Sequence, residues 1–200
     1  MSNQLDLMSL FSAVTGTLEK NKAALNQADE YNGNHGDNMV EIFNVVTGAV
    51  SKNKDADIST QLAAASNLLS DQKSGSAQVY AKGFSAAAEQ FQGEELTTDS
   101  IMPLLQSMFG GGEKPKAENS LQGMLGSFLG GDDGELDAND LLKAGMSFFS
   151  AKNKGKNTQE ALIEAVIAQS AFGESSHRTQ SSQLVAGTIF DMLGTMSKKR

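Results

Sequence analysis

The sequence predicts an all-α protein, an antiparallel up-and-down bundle or barrel of about eight helices. Three observations support this fold class. Only two prolines occur in 200 residues, the helix-favouring residues Ala, Leu, Met and Gln are plentiful, and apolar residues recur at steps of three and four. Short polar loops between these repeats favour antiparallel neighbours. We expect one domain over residues 1–200, with an insertion or flexible segment at 110–137.

The first four helices are predicted from apolar stripes along the chain. We expect them at about residues 4–24, 38–52, 59–69 and 76–91. The stripe of the first helix consists of Leu7, Leu10, Phe11, Val14 and Leu18. That of the second consists of Met39, Ile42, Phe43, Val46 and Val50. Each stripe covers one face of its helix, as burial against neighbouring helices requires.

The later helices are marked by capping residues and glycines. Thr97 to Asp99 can cap a fifth helix that stops at Gly110, and Pro103 is tolerable because it lies near the first turn. A short apolar helix is expected at 121–129, and another follows Asp137. Thr158 caps the next helix, and the last begins after a polar loop at 173–180.

Composition excludes several classes of function. The net charge is −8 and the pI is near 4.7, so the chain repels a phosphate backbone and a nucleic-acid partner is not expected. No apolar run is long enough for a membrane-spanning helix. The first residues resemble no secretory signal, which predicts a cytoplasmic protein. The absence of cysteine excludes a thiolate nucleophile and a cysteine-ligated metal.

Three polar loops, at 32–38, 73–76 and 173–182, each lead into a predicted helix N-terminus. If these loops share one end of the bundle, their backbone N–H groups and helix dipoles form an anion-binding mouth. The plainer alternative is that their Ser and Asn residues are only N-caps. His35 and His177 lie in two of these loops, and each taken alone is better explained as a solvated or hydrogen-bonded side chain than as a catalyst.

The acidic segment 132–141 has the letters of the second half of an EF-hand calcium loop. In that register the first ligand positions fall on Leu129 and Gly131, which offer no side-chain oxygen. An N-cap at Asp137 explains the same letters, and we favour it.

A family resemblance connects the three loops. The segment from Leu18 to Asn26, followed by Asn-Gly-Asn-His-Gly-Asp-Asn-Met at 32–39, resembles the signature of the nucleotide-binding L domain of dihydroxyacetone kinases (DhaL type). Ser-Gly-Ser at 74–76, Gly-Lys-Asn-Thr at 155–158 and Gly-Glu-Ser-Ser at 173–176 are similar to later motifs of that family, in the same order. The first motif is the most specific of the four.

The resemblance implies a barrel of eight helices around ADP or ATP, with Mg²⁺ on the phosphates. Dihydroxyacetone would then be held by a separate (K-type) subunit. The partner that we expect is therefore such a subunit or another protein. Metal ligands would be Asn32 and Asn34. The residues expected to line the nucleotide site are His35, Asp37, Asn38, Ser74, Gly75, Ser76 and Thr158.

The chain departs from the family at the metal site. The three aspartates of the family correspond to Gln27, Asn32 and Asn34, and amides carry no negative charge for Mg²⁺. Asp29, Glu30 and Asp37 are near in sequence and are the candidates to replace those aspartates, although Asp37 is better explained as a partner of the helix dipole. We therefore expect weak magnesium binding and weak or lost phosphotransfer. The alternative function is a non-enzymatic helical protein that binds a partner or a small ligand, with a methionine-rich contact surface around Met102, Met108, Met124 and Phe128.

Overall fold

Seven α-helices and no strands make up the part of the chain that the computed structural model describes, residues 6–97, 100–110 and 158–197. The helices are α1 (Leu7–Gln27), α2 (His35–Lys52), α3 (Ile58–Ser70), α4 (Gly75–Gln90), α5 (Ile101–Phe109), α6 (Thr158–Gln169) and α7 (Ser176–Ser197). The all-α prediction is confirmed. The helices predicted at 121–129 and after Asp137 lie outside the described residues, as do the acidic segment 132–141 and almost all of the predicted insertion.

Contacts between helices run in a ring. Each helix from α1 to α5 packs against the next, α5 packs against α6, α6 against α7, and α7 returns to α1. Short loops join α1 to α2, α2 to α3, α3 to α4 and α6 to α7, so these neighbours run in opposite directions. None of the described helices is both long and apolar enough to cross a membrane.

The predicted apolar stripes of α1 and α2 are buried in one continuous core. At its centre the ring of Tyr80 is fully buried among aromatic side chains from several helices. Its centroid lies 4.7 Å from that of Phe172 and 5.2 Å from that of Phe43. Met108 is also fully buried and Met102 is half-buried against the core. These two methionines therefore stabilise the fold; Met124 and Phe128 lie outside the described residues.

Candidate functional site

The N-termini of α2, α4 and α7 meet at one end of the bundle. The ring of His35, the first residue of α2, lies 4.6 Å from the ring of His177 in the first turn of α7. Gly75, the first residue of α4, is so close to α7 that an added Cβ would lie 3.1 Å from Arg178 Nη2. The three predicted loops therefore share one end of the bundle, which we call the mouth.

Asp29 shapes the loop between α1 and α2. Its carboxylate is 8% exposed and accepts hydrogen bonds from the backbone N–H groups of Tyr31 (3.2 Å) and Asn34 (3.3 Å). Burial alone would raise the pKa of Asp29, but these N–H donors and the nearby His177 together lower it. Asp29 is therefore ionised at neutral pH, with Oδ1 3.9 Å from His177 Nδ1.

His35 joins α2 to α7 through a buried hydrogen bond. Its Nε2 lies 2.9 Å from Ser181 Oγ, and the Ser181 hydroxyl donates its single proton to the carbonyl of Arg178. Ser181 must therefore accept from His35, which makes His35 the donor through Nε2–H. Burial, followed by the charge of His177, lowers the pKa of His35 to about 4. At neutral pH His35 is an uncharged structural donor.

Arg178 supplies the cation of the mouth. Its guanidinium lies beside the N-terminus of α4 and in the first turn of α7, both of which are positive ends of helix dipoles. Its carboxylate neighbour is Glu174, with Oε2 3.8 Å from Nη1, and that glutamate is largely exposed to solvent. The mouth therefore holds the positive charge of Arg178 next to the solvated Glu174, together with the buried carboxylate of Asp29, which backbone N–H groups and His177 face.

Asp37 and Asn38 lie in the first turn of α2. Their side chains contact α1 and Asn34, not α4 or α7. Asp37 pairs with Lys22 of α1 at 3.1 Å and accepts a hydrogen bond from Asn26. That hydrogen bond, followed by Lys22, lowers the pKa of Asp37. Asn38 donates through Nδ2 to Asn34 Oδ1 at 2.9 Å. These side chains fasten the start of α2 to α1 and to its own N-cap.

Ser74, Gly75 and Ser76 form the start of α4 as predicted. Ser74 occupies the N-cap position without a side-chain cap hydrogen bond, and Ser76 is buried in the first turn. Together with His35 they lie at the mouth.

Thr158 lies at a different end of the structure. It begins α6, whose C-terminal end leads through the turn at 170–175 to the mouth. At about 1.5 Å per residue, the twelve residues of α6 separate its two ends by roughly 17 Å. The backbone of Thr158 therefore lies away from the mouth, where His35, Ser74, Gly75 and Ser76 are found.

The donors available to Mg²⁺ fit that ion poorly. Within the described residues, no three His, Asp or Glu side chains are grouped so that they could hold a metal ion. The exposed Asn32 and Asn34 offer neutral amides, and the carboxylate between them and α1, that of Asp29, is occupied by the backbone of its own loop. The assignment of Asn32 and Asn34 as metal ligands stays a prediction.

Two grooves lie elsewhere on the described surface. One of about 660 Å³ runs along α2 beside the end of α3, and its lining includes Asp37, Glu41 and Asp71. The other, about 220 Å³, lies between α6 and α7 and is largely apolar. Neither groove combines cations with free helix N-termini, so the mouth suits an anion better than either of them.

Four residues of the mouth are absent from the predicted site residues: Asp29, His177, Arg178 and Ser181. The last three lie in the predicted loop 173–182 and Asp29 shortly precedes the loop 32–38, but their contacts with one another depend on the packing of α7 against α1 and α2. The partner of His35 is 146 residues away in sequence, so no local spacing signals the pair. The signal available was the common position of His35 and His177 just before or within the first turn of a predicted helix.

Comparisons with models of protein families, with curated proteins and with solved structures gave no significant match to this chain.

Proposed function

We propose that this chain is a divergent DhaL-like domain that binds the phosphate groups of a nucleotide at the mouth, with weak or lost phosphotransfer. The observation that carries the proposal is the convergence of three helix N-termini, those of α2, α4 and α7, around the guanidinium of Arg178. Helix N-termini offer unpaired N–H donors and a positive potential to phosphate oxygens. Arginine adds a planar pair of donors that matches two of those oxygens.

The capping pattern supports an anion at this end. At the opposite end, Asp6 and Asp57 cap α1 and α3 by accepting from the N–H groups of Ser9 and Thr60, each at 2.7 Å. At the mouth, the N-caps Asn34 and Ser74 make no such side-chain bond to α2 and α4. On α2 the N–H group of Asp37 is capped instead by Asn26 Oδ1 at 3.1 Å. The first turn of α4 therefore leaves N–H groups to water or to a ligand.

Weak or lost phosphotransfer follows from the residues that handle charge. Transfer of a phosphoryl group requires metal ions and cations that neutralise the charge on its oxygens. The loop between α1 and α2 has amides at Asn32 and Asn34 where the resembled family has carboxylates. Binding survives such a change more readily than catalysis, because N–H donors and Arg178 need no metal. A K-type partner subunit stays a prediction.

Calorimetric titration with ADP tests this function. We expect saturable binding, and we expect Arg178→Gln to weaken it by about tenfold or more, since a hydrogen bond to a charged group contributes roughly 1.5–3 kcal/mol. Lys54→Gln is the matched control, because Lys54 is exposed in the loop between α2 and α3, at the opposite end. Absence of ADP binding, or equal weakening by both substitutions, would contradict the proposal.

A further inference from the structure

We infer that the mouth binds its phosphate ligand without a divalent cation, so that Arg178 and the helix N-termini alone neutralise the ligand's charge. The inference rests on the proposed function and narrows its ligand to a phosphate group not complexed with metal. It departs from what the family resemblance implies. Its basis is the state of three oxygen donors at the α1–α2 loop, the side chains of Asp29, Asn34 and Asp37, each of which already accepts a hydrogen bond.

Asp29 holds the loop by itself. Its Oδ1 and Oδ2 accept from the N–H groups of Tyr31 and Asn34, and Oδ1 also faces His177 Nδ1 at 3.9 Å. The loop reverses direction at Gly33, whose φ of 65° is in the left-handed region that glycine adopts without strain. A buried carboxylate at the centre of a loop thus orders the same backbone that a bound cation would otherwise order.

Two further oxygen donors beside the loop are engaged as well. Asp37 is bound to Lys22 and Asn26 of α1, and Asn34 Oδ1 accepts from Asn38 at 2.9 Å. A cation that took these oxygens would have to break a salt bridge and the hydrogen bonds that fix the start of α2. Mg²⁺ demands near-octahedral oxygen ligands and gives up its water reluctantly, so such a rearrangement is unfavourable. Glu30 and Asn32 add an exposed carboxylate and an exposed amide, but Glu30 belongs to no group of three His, Asp or Glu side chains that could hold a metal ion among the described residues.

Arg178, in place of Mg²⁺, can balance the negative charge of the ligand. Arg178 lies at two positive helix ends beside the solvated Glu174 at 3.8 Å. The other carboxylate of the mouth, that of Asp29, is already engaged by backbone N–H groups and faces His177. A phosphate bound between the starts of α4 and α7 would accept hydrogen bonds from the guanidinium and from backbone N–H groups of both helices. The positive charge of these donors would offset the negative charge of the phosphate. Mg²⁺ on the same phosphate would cancel the charge that attracts it there. Magnesium is therefore expected to leave the affinity unchanged or to reduce it.

The first experiment compares ADP titrations of the wild-type protein in EDTA and in excess MgCl₂. We expect saturable binding in both buffers, with dissociation constants that agree within about threefold or are weaker in magnesium. Binding that appears only with magnesium would overturn this inference and leave the proposed function intact. Absence of binding in both buffers would overturn the proposed function itself.

A second experiment uses the metal alone. Mn²⁺, a paramagnetic substitute for Mg²⁺, is titrated into the wild-type protein without nucleotide and followed by water proton relaxation. We expect no saturable enhancement. A saturable enhancement abolished by Asp29→Asn but not by Asp55→Asn, a matched exposed aspartate at the opposite end, would identify Asp29 as a metal ligand and overturn the inference.

The variant Asp29→Asn also tests whether the Asp29 carboxylate, and no metal ion, orders the α1–α2 loop. We expect it to weaken ADP binding equally in EDTA and in MgCl₂, because it removes an acceptor of backbone N–H groups and no metal ligand. Weakening confined to MgCl₂ would contradict us. Should this variant fail to fold, Asp37→Asn replaces it, since Asp37 is exposed. Its effect on ADP affinity is expected to be the same in EDTA and in MgCl₂, and a loss of affinity confined to MgCl₂ would count against the inference.

Discussion

At the scale of single residues, Gly36 decides how closely the mouth is assembled. A Cβ at this position would lie 2.1 Å from the carbonyl oxygen of Lys22 and 2.9 Å from Asn26 Oδ1. Immediately beside it, Asn26 and Asp37 exchange two hydrogen bonds, from Asp37 N to Asn26 Oδ1 and from Asn26 Nδ2 to Asp37 Oδ2. The absence of a side chain at Gly36 is what permits α1 and α2 to approach at this point.

The substitution Gly36→Ala is expected to destabilise the protein. The new methyl group meets backbone, which cannot rotate away, and forced overpacking costs typically about 1–3 kcal/mol. Gly48→Ala in the same helix is the matched control, since nothing lies within 4 Å of its added Cβ. There the change should stabilise by about 0.5–1 kcal/mol, because alanine is the better helix former. Urea unfolding of the three proteins measures both effects.

Two results would count against this account. Wild-type stability in Gly36→Ala would mean that α1 and α2 do not approach closely at Lys22. Equal effects of the two alanines would mean that helix propensity alone decides both positions.

At the scale of the helices, the N-caps of α3 and α4 differ. Asp57 Oδ1 accepts from the N–H of Thr60, and this hydrogen bond, with a second from the Thr60 side chain, lowers the pKa of Asp57. Ser74 occupies the same position on α4 without a cap bond. Asp57 therefore caps the first turn of α3 with its own side chain, while Ser74 leaves the first turn of α4 without a side-chain cap.

Asp57→Ala should lower the free energy of unfolding by about 1 kcal/mol, the usual effect of removing an aspartate N-cap. Ser74→Ala should change it much less in the absence of ligand, because no cap bond is lost. Thermal unfolding followed by circular dichroism compares the two variants. A larger loss for Ser74→Ala than for Asp57→Ala would refute the difference in capping that supports the anion site.

Much of the helical arrangement is accessible from sequence because periodicity is local. The predicted third helix, 59–69, and fourth, 76–91, agree within a residue with Ile58–Ser70 and Gly75–Gln90. The start of α2 is earlier than predicted, at His35, because the bend at Asn34 and Gly33 ends there and the Asn34 carbonyl accepts from Asn38 N. The end of α1 is later, at Gln27, because no glycine or proline interrupts the helix after residue 24.

The candidate site is less accessible from sequence because it is made by tertiary packing. Alternate loops of an up-and-down bundle lie at the same end, which predicts that the starts of α2, α4 and α7 converge. Burial is different: His35 and His177, each better explained alone as a solvated or hydrogen-bonded loop histidine, are 4% and 9% exposed. Their burial depends on the packing of α7 against α2, which no window of sequence contains. The same applies to Arg178 beside Gly75.

At the scale of the whole molecule, α7 closes the ring of helices. It packs against α1, α2 and α6, and the hydrogen bond between His35 and Ser181 joins residues near the two ends of the chain. Asp29, His177 and Arg178 surround this bond with charged or titratable groups. Global stability is therefore coupled to the protonation of one buried imidazole.

We expect the protein to lose stability as the pH falls from about 6.5 towards 4. The pKa of His35 is about 4 in the folded chain and 6.5 ordinarily, so the unfolded chain takes up a proton in this window and the folded chain does not. The sign is unambiguous: acid favours the unfolded state, by at most about 3 kcal/mol. The contribution of His35 fades as the pH rises above 6.5, because the imidazole is then uncharged in both the folded and the unfolded chain.

His35→Gln provides the comparison, because its amide can still donate to Ser181 but does not titrate. Urea unfolding at pH 7 and pH 5 should show a smaller loss for this variant than for the wild type. The comparison stays above the range in which Asp29, whose pKa is lowered, takes up its proton. An identical loss in both proteins would assign the pH dependence to other groups.

The two tyrosines give the molecule a built-in optical reporter. The chain has no tryptophan, so tyrosine emission is not transferred to an indole. Tyr31 is 87% exposed at the tip of the α1–α2 loop, with its ring 6.2 Å from that of His177, while Tyr80 is sealed in the core. Iodide should therefore quench the fluorescence of Tyr31 selectively. Protection of Tyr31 from iodide would report a ligand bound at the mouth without any added label.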